Sequence, residues 1–493
     1  MAPQFFNTLS GRIEEFQPLH DQEVRMYACG PTVYDYGHIG NFRTFVFVDL
    51  LRRYLKQHYK LRHVMNITDV DDKIIRNSAA AGVSINEYTK KYQRAFLEDA
   101  EALNIERPEI VRATEHIEQM ARFIQNLVEK GFAYRAEDGS YYFRIAKFPE
   151  YGKLSKKDFA GMEDGARVDV DEYEKDNARD FALWKAPKPG EHFWETEIGP
   201  GRPGWHIECS VMSMEALGET LDIHTGGEDL VFPHHENEIA QSEAATGKPF
   251  VRFWIHARFL LVEGEKMSKS LGNFYTLRDL VLMGHKPSSI RYLLSSVPYR
   301  KQLNFTFDGL TQAANAVERL RNFKRRLEME QREAGCNQAI AILAGETRAN
   351  IDAALADDMN TAQALAAMFD MVREANNAAD RGELKQGNVE PLMKTLAAFD
   401  SVFAVMNDDD AQKVKKIVEW AEAEGKAEKI SAQAREIAAA AGTSDAHIDA
   451  LVQEMQEARK AKNFTRGDQI RAELNAMGII VEVTKDGARW RRK

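Results

Sequence analysis

"VRMYACG" (residues 24–30) opens the stretch that decides the fold. It is an apolar run that ends in glycine, and it is followed by "NFRTFVFVDLLRRYLKQHY" (41–59), which has helical periodicity. A second apolar run that ends in polar residues, "LRHVMNITDVDDK" (61–73), comes next. The order strand, helix, strand predicts a parallel sheet wrapped by helices, which is the α/β class.

The rest of the chain predicts further units, because 493 residues exceed what one hydrophobic core accommodates. Residues 146–204 are rich in charges and turns and indicate an insertion, after which the parallel-sheet pattern resumes. Beyond about residue 308 the chain is rich in Ala, Glu, Leu and Arg, which predicts a bundle of consecutive helices. The end, 478–493, alternates apolar residues around an Asp-Gly pair and predicts a short hairpin.

The charge balance argues against indiscriminate binding of nucleic acid, since the net charge is −10 and the pI is about 5.8. Any RNA must therefore bind to a local basic cluster, at 319–328, 459–471 or 488–493. The first two clusters are more simply explained as solvated helix faces. Three widely spaced cysteines argue against a disulfide framework. The start has no leader pattern and no stretch reaches the roughly 18–20 apolar residues of a membrane span, so we expect a cytoplasmic protein without membrane contact.

A metal site is suggested by "DLVFPHHENEIAQ" (229–241). On a helix that begins near Pro233, His234 and Glu238 stand four residues apart on one face, whereas His235 points about a third of a turn away. Zinc binds Cys, His and carboxylate, so Cys29 and Cys209 would complete a suitable set. Spacing supports only the helical pair. Two alternatives stay open: buried cysteines that only pack, and a His–Glu pair that only hydrogen-bonds.

A phosphate site is suggested by two further segments. In "GHIGNFR" (37–43), between a strand end and a helix start, backbone N–H groups and the helix dipole attract anions. In "GEKMSKSLGN" (264–273), a glycine-flanked loop carries Lys266 and Lys269, whose ammonium groups could neutralise charge that develops on a pyrophosphate. Taken singly, each segment is also consistent with an ordinary exposed loop.

Together these segments resemble a known family. HIGN after the first strand and KMSKS after the last are similar to the paired motifs of class I aminoacyl-tRNA synthetases. More narrowly, the chain resembles the cysteinyl-tRNA synthetases over nearly its whole length. The segments that carry this resemblance are "MYACGPTVYDYGHIGNFRTF" (26–45), "GRPGWHIECS" (201–210), "GGEDLVFPHHENE" (226–238) and "EKMSKSLGNF" (265–274).

The resemblance implies a Rossmann-type α/β catalytic domain at 1–308, a helical bundle at 309–407 and a C-terminal α+β anticodon-binding region at 408–493. Within the catalytic domain it implies Rossmann-type halves at about 20–112 and 205–255. A connective insertion then occupies about 113–204, and a region that bears KMSKS and contacts the tRNA stem occupies about 256–308.

The resemblance also implies the site residues. The implied zinc ligands are Cys29, Cys209, His234 and Glu238. The residues implied in ATP binding and catalysis are His38, Asn41, Gly227, Asp229, Lys266 and Lys269. Those implied in cysteine binding are Gly30, Thr68 and Trp205. Asn41 stands where the family's motif usually has a second histidine, so it can donate a hydrogen bond to phosphate but carries no charge. Arg489, Trp490 and Arg491 are expected near tRNA, although Trp490 could equally anchor the terminal hairpin.

The activity implied is the ATP-dependent attachment of L-cysteine to tRNA(Cys) through a cysteinyl adenylate. The expected cofactors are one zinc ion per chain and Mg²⁺ with the ATP. The chain is expected to be a monomer. A serine-sized competitor differs by one atom, and packing alone separates near-isosteres only about 10–200-fold, so a metal that reads the thiol is expected. Two rival functions remain: a ligase that joins activated cysteine to an amino sugar, which would lack the C-terminal region, and a non-catalytic zinc protein that binds RNA.

Overall fold

The structure is a computed structural model, and it describes residues 2–157, 180–442, 445–484 and 487–492. Its helices are α1 Ile39–His58, α2 Asp72–Ala81, α3 Ile85–Ala102, α4 Ile117–Glu129, α5 Trp205–Leu217, α6 Glu236–Thr246, α7 Leu277–Leu282, α8 Pro287–Ser295, α9 Phe307–Met329, α10 Gln338–Ala356, α11 Thr361–Asp380, α12 Val389–Phe403, α13 Asp410–Ala423, α14 Ala432–Ala439, α15 Asp445–Lys460 and α16 Phe464–Ala476. Its strands are β1 Gln4–Asn7, β2 Arg12–Glu15, β3 Glu23–Ala28, β4 Lys60–Ile67, β5 Glu109–Arg112, β6 Ala133–Arg135, β7 Tyr141–Phe143, β8 Phe181–Lys185, β9 Arg202–Pro203, β10 Leu221–Gly227, β11 Val251–Ala257, β12 Leu260–Val262, β13 Glu265–Lys266, β14 Leu303–Phe305, β15 Ile479–Thr484 and β16 Gly487–Arg492.

A five-stranded parallel sheet of order β11-β10-β3-β4-β5 forms the centre of the first 308 residues. The chain enters at β3, moves outward through β4 and β5, and then returns to the other side of β3 with β10 and β11. The direction of strand order therefore reverses between β3 and β10. In open parallel sheets the crevice at the carboxyl ends of two such strands is the usual ligand-binding position.

Helix α1 connects β3 to β4 and fixes the geometry of this crevice. Its N-terminus is capped locally, since the Nδ1 of His38 accepts from the N–H of Asn41 at 3.1 Å while the side chain of Asn41 accepts from the N–H of His38 at 3.1 Å. Farther along, buried Asp49 accepts from Arg53 at 2.8 Å and from Arg291 of α8 at 2.6 Å. A buried carboxylate needs such partners, and here they tie α1 to α8.

Smaller sheets surround the crevice. The antiparallel sheet β6-β7-β8-β9 lies within the predicted insertion, of which residues 158–179 fall outside the described ranges. The sheet β13-β12-β14 carries the loop with Lys266 and Lys269. That loop lies against the start of α1, because the N–H of Ile39 donates to the carbonyl of Tyr275 at 3.0 Å.

Helices α9 to α12 form the predicted bundle, and α13 then returns to the sheet domain. Buried Arg321 of α9 donates to Asp410 at the start of α13 at 2.8 Å, and Ser288 of α8 donates to the same carboxylate. The ring of Trp420 on α13 lies 5.3 Å from that of Tyr36, two residues before His38. The antiparallel hairpin β15-β16 packs on α15 and α16. The predicted fold class, α/β with a helical bundle and a small C-terminal α+β unit, is confirmed.

Across the described ranges, every helix is either too short or too polar to cross a membrane.

Candidate active site and metal centre

The predicted metal ligands converge at the carboxyl end of β3. Cys29 follows the last residue of the strand, and its backbone N–H donates to Thr225 of β10 at 3.1 Å. Cys209 lies on α5, and its Sγ is 3.8 Å from that of Cys29; both cysteines are buried and free of any disulfide. On the third side, Nε2 of His234 is 3.0 Å from Oε1 of Glu238, which is 3.9 Å from the sulfur of Cys29.

One ligand atom from each of Cys29, Cys209, His234 and Glu238 lies within 4.8 Å of the other three. Two thiols, an imidazole and a carboxylate are donors that zinc accepts. Burial raises the pKa of the Cys29 thiol, which opposes ionisation, and a cation among these four groups would favour the thiolate. The residues present therefore fit a zinc ion.

A second set overlaps the first. Cys29, His224, His235 and Glu238 also bring one donor each within 4.8 Å. The Nε2 of His235 lies 3.2 Å from the Cys29 sulfur, and His224 contacts Glu238 at 2.9 Å. Burial works against the charge of Glu238, but His224 and His234 outweigh it and lower its pKa to about 2. Geometry alone thus allows either histidine of the pair to serve as a ligand.

The expectation that His235 points away from the cluster is wrong. Regular helix begins at Glu236 rather than near Pro233, and Val231–His235 form a π-helical turn in which Phe232 is extended. Both neighbouring histidines therefore turn inward. His234 also contacts His206 at 2.9 Å and stacks on Trp205 with ring centroids 4.2 Å apart, whereas His235 contacts His256 at 2.8 Å.

The residues predicted to bind cysteine line the same end of the sheet. The backbone N–H of Gly30 donates to Asn66 of β4 at 2.8 Å, and a Cβ at Gly30 would stand 1.7 Å from the carbonyl oxygen of Asn66. The hydroxyl of Thr68, just past β4, donates to buried Glu208 at 2.9 Å. Trp205 joins them through its stacking on His234, so each of the three residues lies beside a member of the metal cluster or beside its sequence neighbour.

His38 is a neutral hydrogen-bond donor at the start of α1. Its Nδ1 accepts from Asn41, which leaves the proton on Nε2. Burial and the nearby charge of Lys269 lower the pKa of His38 to about 4. The side-chain oxygen of Asn41 is engaged by the N–H of His38. Asparagine therefore completes the helix cap at the position where a second histidine is usual.

The two lysines of the 264–273 loop differ in their surroundings. The Nζ of Lys269 lies 3.0 Å from Oδ2 of Asp35 and 5.1 Å from the centroid of the Phe274 ring. Lys266 is exposed, and among the described residues its side chain forms no ion pair. Just past the end of β10, the carboxylate of Asp229 folds back over Gly227, where an added Cβ would stand 2.3 Å from Oδ1.

The predicted tRNA-binding residues lie at the other end of the chain. The indole N–H of Trp490 donates to Asp449 of α15 at 2.7 Å, and the guanidinium of Arg492 lies over its ring at 5.1 Å. This is the anchoring contact, so stacking of Trp490 on a base stays a prediction. Arg491 lies 3.7 Å from Glu482 across the hairpin. The side chain of Arg489 is outside the described residues.

Sequence reasoning missed several residues of the site, His206 and Glu208 among them. His224 and His256 join the histidine cluster from the adjacent strands β10 and β11, and Asp35 faces Lys269. A histidine near the carboxyl end of a parallel strand is the available signal for the first two. Nothing local in the sequence pairs Asp35 with a lysine 234 positions away.

A solved structure shares this fold, and a family model gives its class. The chain is similar to methionyl-tRNA synthetase from Mycobacterium tuberculosis in complex with methionyl-adenylate, with a TM-score of 0.57 at 15% identity over 86% of this chain and 95% of that one. The family description "tRNA synthetases class I (C) catalytic domain" matches residues 15–315. The sheet, the crevice and this match define a class I aminoacyl-tRNA synthetase.

The particular family follows from the rest of the chain. A DALR domain matches residues 350–407, and "Cysteinyl-tRNA ligase anticodon binding domain" matches 441–491. The protein named "Cysteine--tRNA ligase" from Koribacter versatilis is 70% identical over 100% of both chains, and that from Solibacter usitatus is 58% identical over 100% of both. The chain belongs to the cysteine-tRNA ligase family.

Proposed function

We propose that this enzyme activates L-cysteine with Mg²⁺-ATP to cysteinyl adenylate and then transfers the cysteinyl group to tRNA(Cys). One observation carries the proposal: a buried cluster of thiol, imidazole and carboxylate donors and two hydrogen-bond donors, His38 and Lys269, lie around a single crevice of the parallel sheet. An amino acid held at the cluster would have its carboxylate directed toward ATP held at the start of α1.

Cys29, Cys209, His234 and Glu238 would hold one zinc ion. When bound, zinc supplies a thiophilic acceptor that favours the thiol of cysteine over the hydroxyl of serine, which ionises far less readily. This chemistry provides the discrimination that packing against a one-atom difference cannot reach. Gly30, Thr68 and Trp205 would hold the rest of the amino acid, with the bare Cα of Gly30 giving close approach to the strand end.

The groups proposed for ATP act by position and charge. Helix α1 begins at the crevice, so its backbone N–H groups and dipole attract phosphate. The Nε2–H of His38 donates a hydrogen bond, and Lys266 and Lys269 neutralise charge on the departing pyrophosphate. Gly227 and Asp229, at the end of β10, would contact the adenosine. In the structure the ammonium of Lys269 is paired with the carboxylate of Asp35. We infer that a phosphate of ATP replaces this carboxylate as the partner of Lys269.

The work of the chain would be divided along its length. We propose that residues 1–308 carry out activation, with the KMSKS-bearing region at about 256–308 also contacting the tRNA stem. The helical bundle at 309–407 and the C-terminal region at 408–493 would span from the acceptor arm to the anticodon, with Arg489 and Arg491 near phosphates. Because charged tRNA is consumed by ribosomes, the proposed location is the cytoplasm. The rival ligase that uses an amino sugar as acceptor would not need the anticodon-binding match at 441–491.

ATP–pyrophosphate exchange measured separately with cysteine, serine and other amino acids tests the proposal. We expect exchange with cysteine to exceed that with serine by about 10⁴-fold or more, the level protein synthesis requires. Treatment with a chelator followed by dialysis should abolish this exchange, and added zinc should restore it. Equal exchange with serine, or full cysteine selectivity in protein shown to be metal-free, would contradict the zinc assignment.

A further inference from the structure

A second cavity lies away from the crevice, between α1 and α3. Its volume is about 470 Å³, within the range typical of small-molecule sites. Strand β4 forms the floor, α1 and α3 form the walls, and the connection between α3 and β5 closes one side. The apolar side chains that line it are Val48, Met65, Phe96, Leu97, Ile105 and Pro108.

The polar groups of this cavity are distributed unevenly. At the floor, Nδ1 of His63 accepts from the guanidinium of Arg52 at 3.0 Å, and burial together with Arg52 lowers the pKa of His63 to about 3. The floor imidazole is therefore neutral. The inner carboxylate, Asp49, is already saturated by Arg53 and Arg291. An anionic group placed deep in the cavity would meet this carboxylate and no free cation, so the inner end suits an apolar group.

The outer part of the cavity differs in its charge. Each carboxylate there is paired with at least one cation: Glu98 with Arg278 at 2.8 Å, a guanidinium that also pairs with Asp99 at 2.7 Å, Glu101 with Lys416 at 3.1 Å and Glu106 with Lys56 at 2.7 Å. Lys90 and Arg107 are exposed, and within the described part of the chain neither forms an ion pair. The outer part therefore presents two positive charges that are not held in close ion pairs, above an apolar interior.

We propose that this cavity binds a small molecule with a compact apolar body and one carboxylate. The body lies inward against Leu97 and Phe96, and the carboxylate lies outward between Lys90 and Arg107. Charge-assisted hydrogen bonds from a lysine and an arginine suit a carboxylate, and the apolar walls gain from the exclusion of water. This assignment is independent of the activity proposed for the crevice.

The position of the cavity relates it to the active site through one helix. Helix α3, which supplies Lys90 and Leu97, also holds the loop before His38. The hydroxyl of Tyr88 donates to the carbonyl of Tyr34 at 2.9 Å, and the ring of Tyr92 lies 5.3 Å from that of Tyr36. A molecule in the cavity thus contacts the opposite side of the helix that supports the ATP-facing loop.

Calorimetric titration of the full-length protein with 4-phenylbutanoate and with its neutral amide tests this proposal. We expect saturable one-to-one binding of the acid with a Kd at or below ~1 mM, which is reasonable for a ligand of this size. The amide should bind about fivefold or more weakly because it cannot form the outer ion pairs. Absence of saturable binding of the acid would overturn the proposal.

Two variants locate the binding. Leu97→Trp should fill the cavity and weaken both ligands by about tenfold or more. The double variant Lys90→Glu, Arg107→Glu changes only exposed positions, so it should fold like the wild type. It should weaken binding of the acid about tenfold and leave the Kd of the amide within ~2-fold. Arg348→Glu, an exposed charge on α10, is the matched control and should change neither. Unaltered binding of the acid in the double variant would place the ligand elsewhere and refute the assignment.

Discussion

Lys269 and Asp35 form an ion pair across the mouth of the crevice, with Nζ 3.0 Å from Oδ2. Both side chains are largely exposed, at 69% and 41%, so water screens their attraction. The pair therefore holds the lysine only weakly. An incoming triphosphate carries more charge than one carboxylate and can take its place.

Lys269→Ala should lower the rate of ATP–pyrophosphate exchange by about 100-fold, the usual loss when one preorganised charge is removed from a transition state. The Kd of cysteine, measured by titration, should change by less than ~2-fold, because the cluster proposed to hold zinc and cysteine includes no residue of the 264–273 loop. Lys301→Ala, an exposed lysine outside the loop, is the control. Equal losses in exchange and in cysteine binding would contradict the phosphate role.

Asp35→Asn should lower the KM for ATP by about two- to fivefold, because it removes the carboxylate that competes with phosphate for Lys269. A change of that size corresponds to the ~0.2–1 kcal/mol that an exposed ion pair contributes. The KM for ATP is measured by steady-state ATP–pyrophosphate exchange at a fixed cysteine concentration. Glu265→Gln, which changes an exposed carboxylate at the base of the same loop, should leave KM nearly unchanged. A raised KM would show that Asp35 assists ATP binding instead.

His234→Gln should remove zinc, whereas His235→Gln should retain about one ion per chain. The two histidines are neighbours and equally buried, at 1% and 0% exposure, so the damage to packing is matched. Zinc content after dialysis, measured by mass spectrometry alongside circular dichroism, distinguishes them without an activity assay. The reverse result would assign the metal to the set of Cys29, His224, His235 and Glu238.

Removal of residues after 442 should abolish most tRNA charging, by at least ~tenfold, while exchange stays within ~2-fold. This cut keeps Asp410, which accepts from Ser288 and Arg321, and Trp420, whose ring contacts Tyr36. A cut at 407 would remove both residues and expose their partners. Parallel assays of charging and exchange on the truncated protein supply both values. A proportional loss in the two assays would mean that the deleted region supports the catalytic domain itself.

Asp410→Asn should reduce the free energy of unfolding by about 3 kcal/mol, because it removes the closest carboxylate from the buried guanidinium of Arg321 and leaves only the more distant Asp408 and Glu318, at 3.5 and 3.7 Å. Asp370→Asn, at an exposed pair with Arg373, should cost less than ~1 kcal/mol. Urea denaturation at neutral pH measures both. A similar small loss at the two positions would contradict the importance of burial.

The same carboxylate predicts a pH dependence. Burial opposes its charge, but Arg321 and Ser288 outweigh this and hold the pKa of Asp410 below its ordinary value. A group whose pKa is lowered by folding contributes stability that is fully present above the unfolded pKa of about 3.9 and is lost as pH falls through the folded pKa. The difference in stability between the wild type and Asp410→Asn should therefore shrink below about pH 4.

Local patterns predicted the local parts of this molecule. Helix α1 spans Ile39–His58, close to the expected 41–59, because both its periodicity and its His38–Asn41 cap are contained in neighbouring residues. The convergence of Cys29, Cys209, His234 and Glu238 came from resemblance, since no spacing relates cysteines 180 positions apart. The inward turn of His235 was missed because periodicity assumes regular helix, and the π-helical turn at Val231–His235 is not regular.

In the proposed amino-acid site, Gly30 would limit the redesign of the enzyme to charge tRNA with noncanonical amino acids. A single methyl group there would collide with the main chain of β4, at 1.7 Å from the Asn66 oxygen, and main chain cannot rotate away as a side chain can. Libraries randomised at this position should return only glycine. In the amino-acid site proposed above, truncating Trp205 of α5 would make room for a bulkier substrate, and it would also release the ring of His234.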